Sequence, residues 1–126
     1  VEELLRYDSP VQFSRRITIA DLDVDGATIP AGTFTLTCLG SANHDEARWG
    51  PTADELDITR ADAGQHMSFG NGIHHCLGSS LARTEAQVAI GALVRRFPDL
   101  ALAGEPERNG RVVLRGLESL PVTLGS

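Results

Sequence analysis

The stretch SFGNGIHHCLGSSLAR, residues 68–83, carries Gly70, Gly72 and Gly78, the adjacent His74 and His75, and Cys76, and runs straight into helix-forming sequence. Glycine admits backbone angles and close approaches that side chains resist, so this loop can take something flat or bulky against it. Cys76 stands just ahead of the expected helix. There the unbonded first-turn amides and the positive end of the helix dipole favour an anion, which for a cysteine is the thiolate. The same residues also describe an ordinary loop-to-helix junction with a small buried thiol. A zinc site would recruit His66, His74, His75 and Cys76, but consecutive side chains diverge in direction and no Cys-x-x-Cys knuckle is present.

Downstream, Leu81, Val88, Leu93 and Phe97 recur near helical spacing, which predicts a helix from about Leu77 to Phe97, stopped by Pro98. Upstream, residues 41–65 (SANHDEARWGPTADELDITRADAGQ) mix charge, Pro and Gly without periodicity and read as a long irregular excursion. Before it, residues 15–38 are rich in Ile, Val and Thr and are broken by Asp25-Gly26 and Pro30-Ala31-Gly32, the pattern of short antiparallel strands. Phe34, Leu36 and Cys38 alternate with Thr33, Thr35 and Thr37, predicting one apolar face. The opening VEELLRY reads as helix ended near Pro10, with no capping residue ahead of it. Residues 110–124 (GRVVLRGLESLPVTL) read as a last hairpin turning at Leu117–Leu120, and no internal repeat is present.

The chain has 126 residues, 41% hydrophobic and 22% charged, which is enough for one unit with a modest core. Seventeen acidic against eleven basic side chains give a net charge of −6 without a basic run, which argues against a nucleic-acid partner. No apolar run approaches the roughly 20 residues that span a bilayer, so no membrane association is expected. Two cysteines alone, Cys38 and Cys76, fit a reducing cytoplasm better than a disulfide-stapled secreted scaffold. A chain that opens at Val1 within a helix reads as the C-terminal piece of something larger.

Residues 69–78, FGNGIHHCLG, fit Phe-x-x-Gly-x-x-x-Cys-x-Gly and closely resemble the haem-binding loop of the cytochrome P450 superfamily, of the soluble bacterial type. The resemblance implies that Cys76 is the axial ligand of haem iron (haem b, iron protoporphyrin IX). It further implies that Phe69 packs against the haem, that Gly72 and Gly78 allow the close turn, and that His74 reaches a propionate. His75 falls at a variable position and is expected at the surface near a redox-partner face. Glu3 and Arg6, three apart in EELLR, resemble the family's structural Glu-x-x-Arg pair. Arg16, with Arg15 as neighbour, stands where soluble bacterial members carry a propionate-binding arginine. The sequence departs from the family at ADEL (53–56), where Glu55 occupies a usually basic place. Arg60 or Arg48 is then the candidate third member of the brace.

The fold so implied is mixed α/β within a mainly α parent: Glu-x-x-Arg helix, small β-sheet, meander, cysteine-ligand loop, long helix and terminal β-hairpin. Residues 1–126 would be the haem-ligating part of one domain, without the distal portion, and inactive alone. The intact parent is expected to be a monooxygenase that takes electrons from a ferredoxin or flavodoxin and uses O2 to hydroxylate an apolar small molecule. The rivals are a non-catalytic haem-binding module and a structural remnant.

Overall fold

Helix α1, Glu2–Tyr7, carries Glu2 and Glu3 in its first turn and Arg6 in its last, the charge order that complements a helix dipole. At six residues it is too short to persist alone in water, so its stability comes from what packs on Glu3 and Arg6. A computed structural model describes residues 1–125. After α1, strand β1 (Phe13–Ile17) pairs antiparallel with β4 (Phe34–Cys38), with Arg16 opposite Thr35. Between them in sequence lies the hairpin of β2 (Leu22–Val24) and β3 (Ala27–Ile29). Its turn residues Asp25 and Gly26 have φ of 51° and 80°, the two positive angles that a two-residue type I′ loop requires.

The alternation in β4 does not mark a core. Phe34 is 61% and Leu36 54% exposed. A two-stranded ladder buries a face only against another layer, and among the described residues none covers these side chains.

The segment after β4 is more ordered than its composition implies. It holds two short helices, α2 (Leu39–Ala42) and α3 (Glu46–Trp49), and a 3₁₀ turn at Ala63–Gln65. Asp45 caps α3, its carboxylate accepting from the Ala47 amide at 2.9 Å. Elements of one turn carry no readable hydrophobic period, so this order is invisible to pattern. The long helix, α4 (Ser79–Arg96), begins at Ser79 rather than Leu77, with Gly78 as N-cap. Its inward side is also not the expected one. Ser79 is buried and Ala82, Arg83 and Ala86 are half-buried, whereas Leu81 and Val88 are more than 60% exposed.

The predicted terminal hairpin needs correction. Leu117–Ser119 is a strand, β7, and not a turn; it pairs with β6 (Glu107–Arg108), while β8 (Val122–Thr123) pairs with β5 (Ala101–Leu102). The tail is anchored to the start of the fold by a bridge between Val11 and Leu114 and by the Gln12 amide donating to the Val113 carbonyl at 3.0 Å. The expected core is also different in kind. Leu39, Trp49, Ala53 and Ala63 are buried beside Glu3, Arg6, Asn43, His66 and Ser68, so the centre is a polar network with a thin apolar lining. Among the described residues no helix is long and apolar enough to cross a membrane.

Candidate functional site

Cys76 sits at the exit of a loop whose entry is pinned from below. The buried Ser68 donates through Oγ to the Leu5 carbonyl at 2.6 Å and accepts from Asn43 Nδ2 at 2.9 Å. Asn43 Oδ1 also accepts from the Met67 amide at 2.7 Å. From there the chain turns through Gly70 and Gly72, both at φ 68°, a region that disfavours side chains. A 3₁₀ turn, Gly72–His74, follows, and the Cys76 amide closes the loop on the Phe69 carbonyl at 2.9 Å. The Ser79 amide then donates to the Cys76 carbonyl at 3.2 Å, which leads the chain into α4.

His75 lies at the surface as expected but is not free, and Gly78 differs from expectation. His75 is exposed yet held at both nitrogens, Nδ1 3.2 Å from the Gly70 carbonyl and Nε2 3.2 Å from Ser79 Oγ, so it staples the two ends of the loop. Gly78 is not required by backbone angle: its φ is −84°. A Cβ there would lie 3.9 Å from Cys76 Sγ, an ordinary contact. Any need for glycine at 78 therefore comes from what approaches the sulfur and not from the turn.

The exposed Cys76 thiol opens into a cleft of about 310 Å³. Leu5, Val11, Leu39 and Phe69 give it apolar walls, and Arg16 and His74 stand on it with Cys76. Arg15 is not among the residues of this cleft, although it shares a neighbouring hollow with Arg16. The Arg16 guanidinium lies back along its strand, donating to the Arg15 carbonyl at 2.7 Å and to Ser14 Oγ. These residues fit a haem: apolar walls suit the macrocycle, a single soft thiol suits iron, and an arginine and a histidine suit the two propionates. A multi-ligand metal site is not formed, because among the described residues no three His, Cys, Asp or Glu side chains come together.

Beneath the loop lies the acidic-basic brace. Arg6, fully buried, donates from Nε and Nη2 to the two Glu3 oxygens, each at 2.8 Å, the bidentate geometry a planar fork permits. Its remaining hydrogens reach the carbonyls of Asn43 (2.6 Å), Ala53 (2.7 Å) and Glu55 (2.8 Å). Arg60 is the third member, with Nε 3.3 Å from Glu3 Oε1 and Nη2 2.8 Å from the Thr52 carbonyl. Arg48 is not: it stacks over Trp49 at 4.4 Å and pairs with Asp62 at 3.0 Å. Glu55 supplies only its carbonyl, so the acidic side chain in the usual basic place leaves the brace unharmed.

Burial pushes the Glu3 carboxyl up, but bonds from Arg6 and the Asp57 amide, with the Arg6 charge, outweigh it and hold the group down to about 2. A depressed acid stabilises the fold above its unfolded value of 4.5 and loses that contribution as pH falls toward 2. The Glu3→Gln protein should therefore have a flatter stability curve than wild type between pH 4.5 and 2, by on the order of 3 kcal/mol, measurable by urea midpoints. Equal slopes would contradict the assignment.

Asn43 is a residue that sequence reasoning missed. It sits within a polar run (41–46), and its buried state gives no periodic signal.

Comparison with known proteins gives a consistent result. The family model for cytochrome P450 matches residues 1–109. Vitamin D(3) 25-hydroxylase of Pseudonocardia autotrophica is 50% identical over 99% of this chain and 32% of its own length. The biotin biosynthesis cytochrome P450 of Bacillus subtilis is 48% identical over 98% of this chain and 31% of its own. The crystal structure of P450BioI with an acyl carrier protein bearing hexadec-9Z-enoic acid superposes with a TM-score of 0.92, at 48% identity, over 97% of this chain and 31% of that one. The chain thus spans about a third of the length of these relatives. With likeness running through α1, the cysteine loop and α4 alike, this chain belongs to the cytochrome P450 family.

Proposed function

We propose that residues 1–126 are the haem-ligating part of a haem-thiolate monooxygenase, with Cys76 as the axial iron ligand. The observation that carries the reading is the exposed Cys76 thiol on an apolar cleft that also bears Arg16 and His74. When bound, haem b would supply activation of O2 with electrons delivered from outside, which a thiolate ligand favours by donating electron density. The chain's own residues do the rest. Cys76 would hold the metal, Phe69 and Leu5 would form apolar walls beside it, and Arg16 and His74 would take the propionates, whose charge needs partners in an apolar cleft.

The overall reaction consumes two electrons, two protons and O2, placing one oxygen atom in the substrate and the other in water. A ferredoxin or flavodoxin would supply the electrons. An apolar small molecule is the substrate class, supported by relatives described as a vitamin D(3) hydroxylase and as binding a hexadecenoyl-carrying protein.

The test uses the intact haem-loaded protein with a ferredoxin, its reductase and a panel of apolar substrates. Cys76-dependent, O2-dependent hydroxylation is expected. A thiolate-type carbonyl spectrum without product from any substrate would instead favour a haem-binding module. Within the same protein, Arg16→Leu should release haem about tenfold faster to an apo-globin acceptor, and His74→Ala by less. Release at the wild-type rate would move the propionate role away from Arg16.

A further inference from the structure

Phe69 is touched from outside the cleft by a group that the propionate and ligand assignments leave unused. The Arg83 guanidinium lies 4.7 Å from the centroid of the Phe69 ring, and Arg83 is not a cleft residue. Its Nε donates to both oxygens of Glu2, each at 3.0 Å, across 81 residues of sequence. Glu2 is in turn 3.2 Å from Nε2 of the buried His66, although at an angle that makes no proper hydrogen bond. His66 itself is fixed, its Nδ1 accepting from the Ser68 amide at 3.1 Å, and its ring lies 5.7 Å from that of Phe69. The entry of the cysteine loop and α4 thus meet on one aromatic ring that also lines the cleft beside Cys76, and Glu2 of α1 ties the two groups that touch it.

A guanidinium tethered by a carboxylate is held at a fixed place on the ring face, where the quadrupole attracts it. Both side chains of the pair are only 29% exposed, so solvent screens the arrangement weakly. Arg83 is therefore a fixed positive charge behind Phe69, and Glu2 a fixed negative charge one step further out. Outer-shell groups of this kind orient and tune a metal site without touching the metal.

We propose that Arg83, anchored by Glu2, is a positioning residue for the Cys76 site: it fixes the Phe69 ring and biases the site toward the reduced state of the bound metal. The inference rests on Cys76 holding haem iron. Positive charge stabilises an added electron, so removing Arg83 and removing Glu2 should act in opposite directions. A merely mechanical role would loosen Phe69 in both variants and shift both the same way.

The experiment is spectroelectrochemical titration of the intact haem-loaded protein as wild type, Arg83→Gln, Arg83→Lys and Glu2→Gln, with the ferrous-carbonyl spectrum recorded for each. Arg83→Gln should lower the reduction equilibrium constant by about tenfold, which is about 59 mV for a one-electron couple. Glu2→Gln should raise it, and Arg83→Lys, which keeps the charge, should stay nearer wild type than Arg83→Gln. Shifts of the same sign in Arg83→Gln and Glu2→Gln, or none, alongside a thiolate-type carbonyl spectrum would overturn the inference and leave the function proposed above intact. A wild-type protein without a thiolate-type spectrum would overturn both.

Discussion

Replacing Arg6 by Ala should destabilise the fold by about 3–5 kcal/mol, the cost of leaving a buried carboxylate without its partner. Arg6 is fully enclosed, and Glu3 is 4% exposed, so water cannot replace what is lost. The loss is not confined to one ion pair, because the carbonyls of Asn43, Ala53 and Glu55 also depend on Arg6 for a donor. Arg60 reaches only one Glu3 oxygen and at 3.3 Å, so it cannot compensate. Against a total stability of about 5–15 kcal/mol, such a change should leave much of the protein unfolded at 37 °C. Urea denaturation of the intact protein is the measurement. Arg6→Lys should also fall well short of wild type, since a point charge cannot bond both Glu3 oxygens and three carbonyls at once. Near-wild-type stability of Arg6→Ala would mean that the brace is not what holds α1.

Asn43→Ala should cost about 2–3 kcal/mol, through donors and acceptors left without partners in a buried place. The Met67 amide loses its acceptor and Ser68 Oγ loses a donor, and both lie at the entry of the cysteine loop. The backbone carbonyl of Asn43 would still accept from Arg6, so the brace should survive. The consequence should be local: hydrogen exchange should quicken at Met67 and Ser68 more than in α4. Uniform acceleration along the chain would show instead that Asn43 acts on global stability alone.

The residues visible in sequence are those whose meaning is local. Glu3 and Arg6 lie one helical turn apart, and the cysteine loop is a contiguous pattern, so the resemblance to the family, carried by short local stretches, suffices to single them out. Arg60 and Arg48 could not be separated on spacing, because the choice depends on how α3 and the turns after it bring one of them onto Glu3. Arg83 and Glu2 meet across 81 residues of sequence, and no local rule joins them. A signal was nevertheless present in α4: Ser79, Ala82 and Ala86 are small residues at helical spacing, the mark of a side approached closely by another element. The larger Leu81, Val88 and Leu93 drew attention to the opposite, exposed side. Likewise the β4 alternation correctly marks two faces but says nothing about what covers them. The pairing of the tail is not legible because Leu117–Leu120 reads as the turn of a local hairpin, whereas Leu117–Ser119 is itself a strand and β7 and β8 each return to an earlier strand.

The central claim, that Cys76 is the thiolate ligand of a haem, is tested most directly by the ferrous-carbonyl absorption spectrum of the intact protein as wild type, Cys76→Ser and Cys38→Ser. Cys38 ends β4 and is not among the residues of the cleft, so it serves as the internal control. The thiolate-type carbonyl band should be present in wild type and in Cys38→Ser and absent from Cys76→Ser. A thiolate-type band that survives in Cys76→Ser would contradict the account.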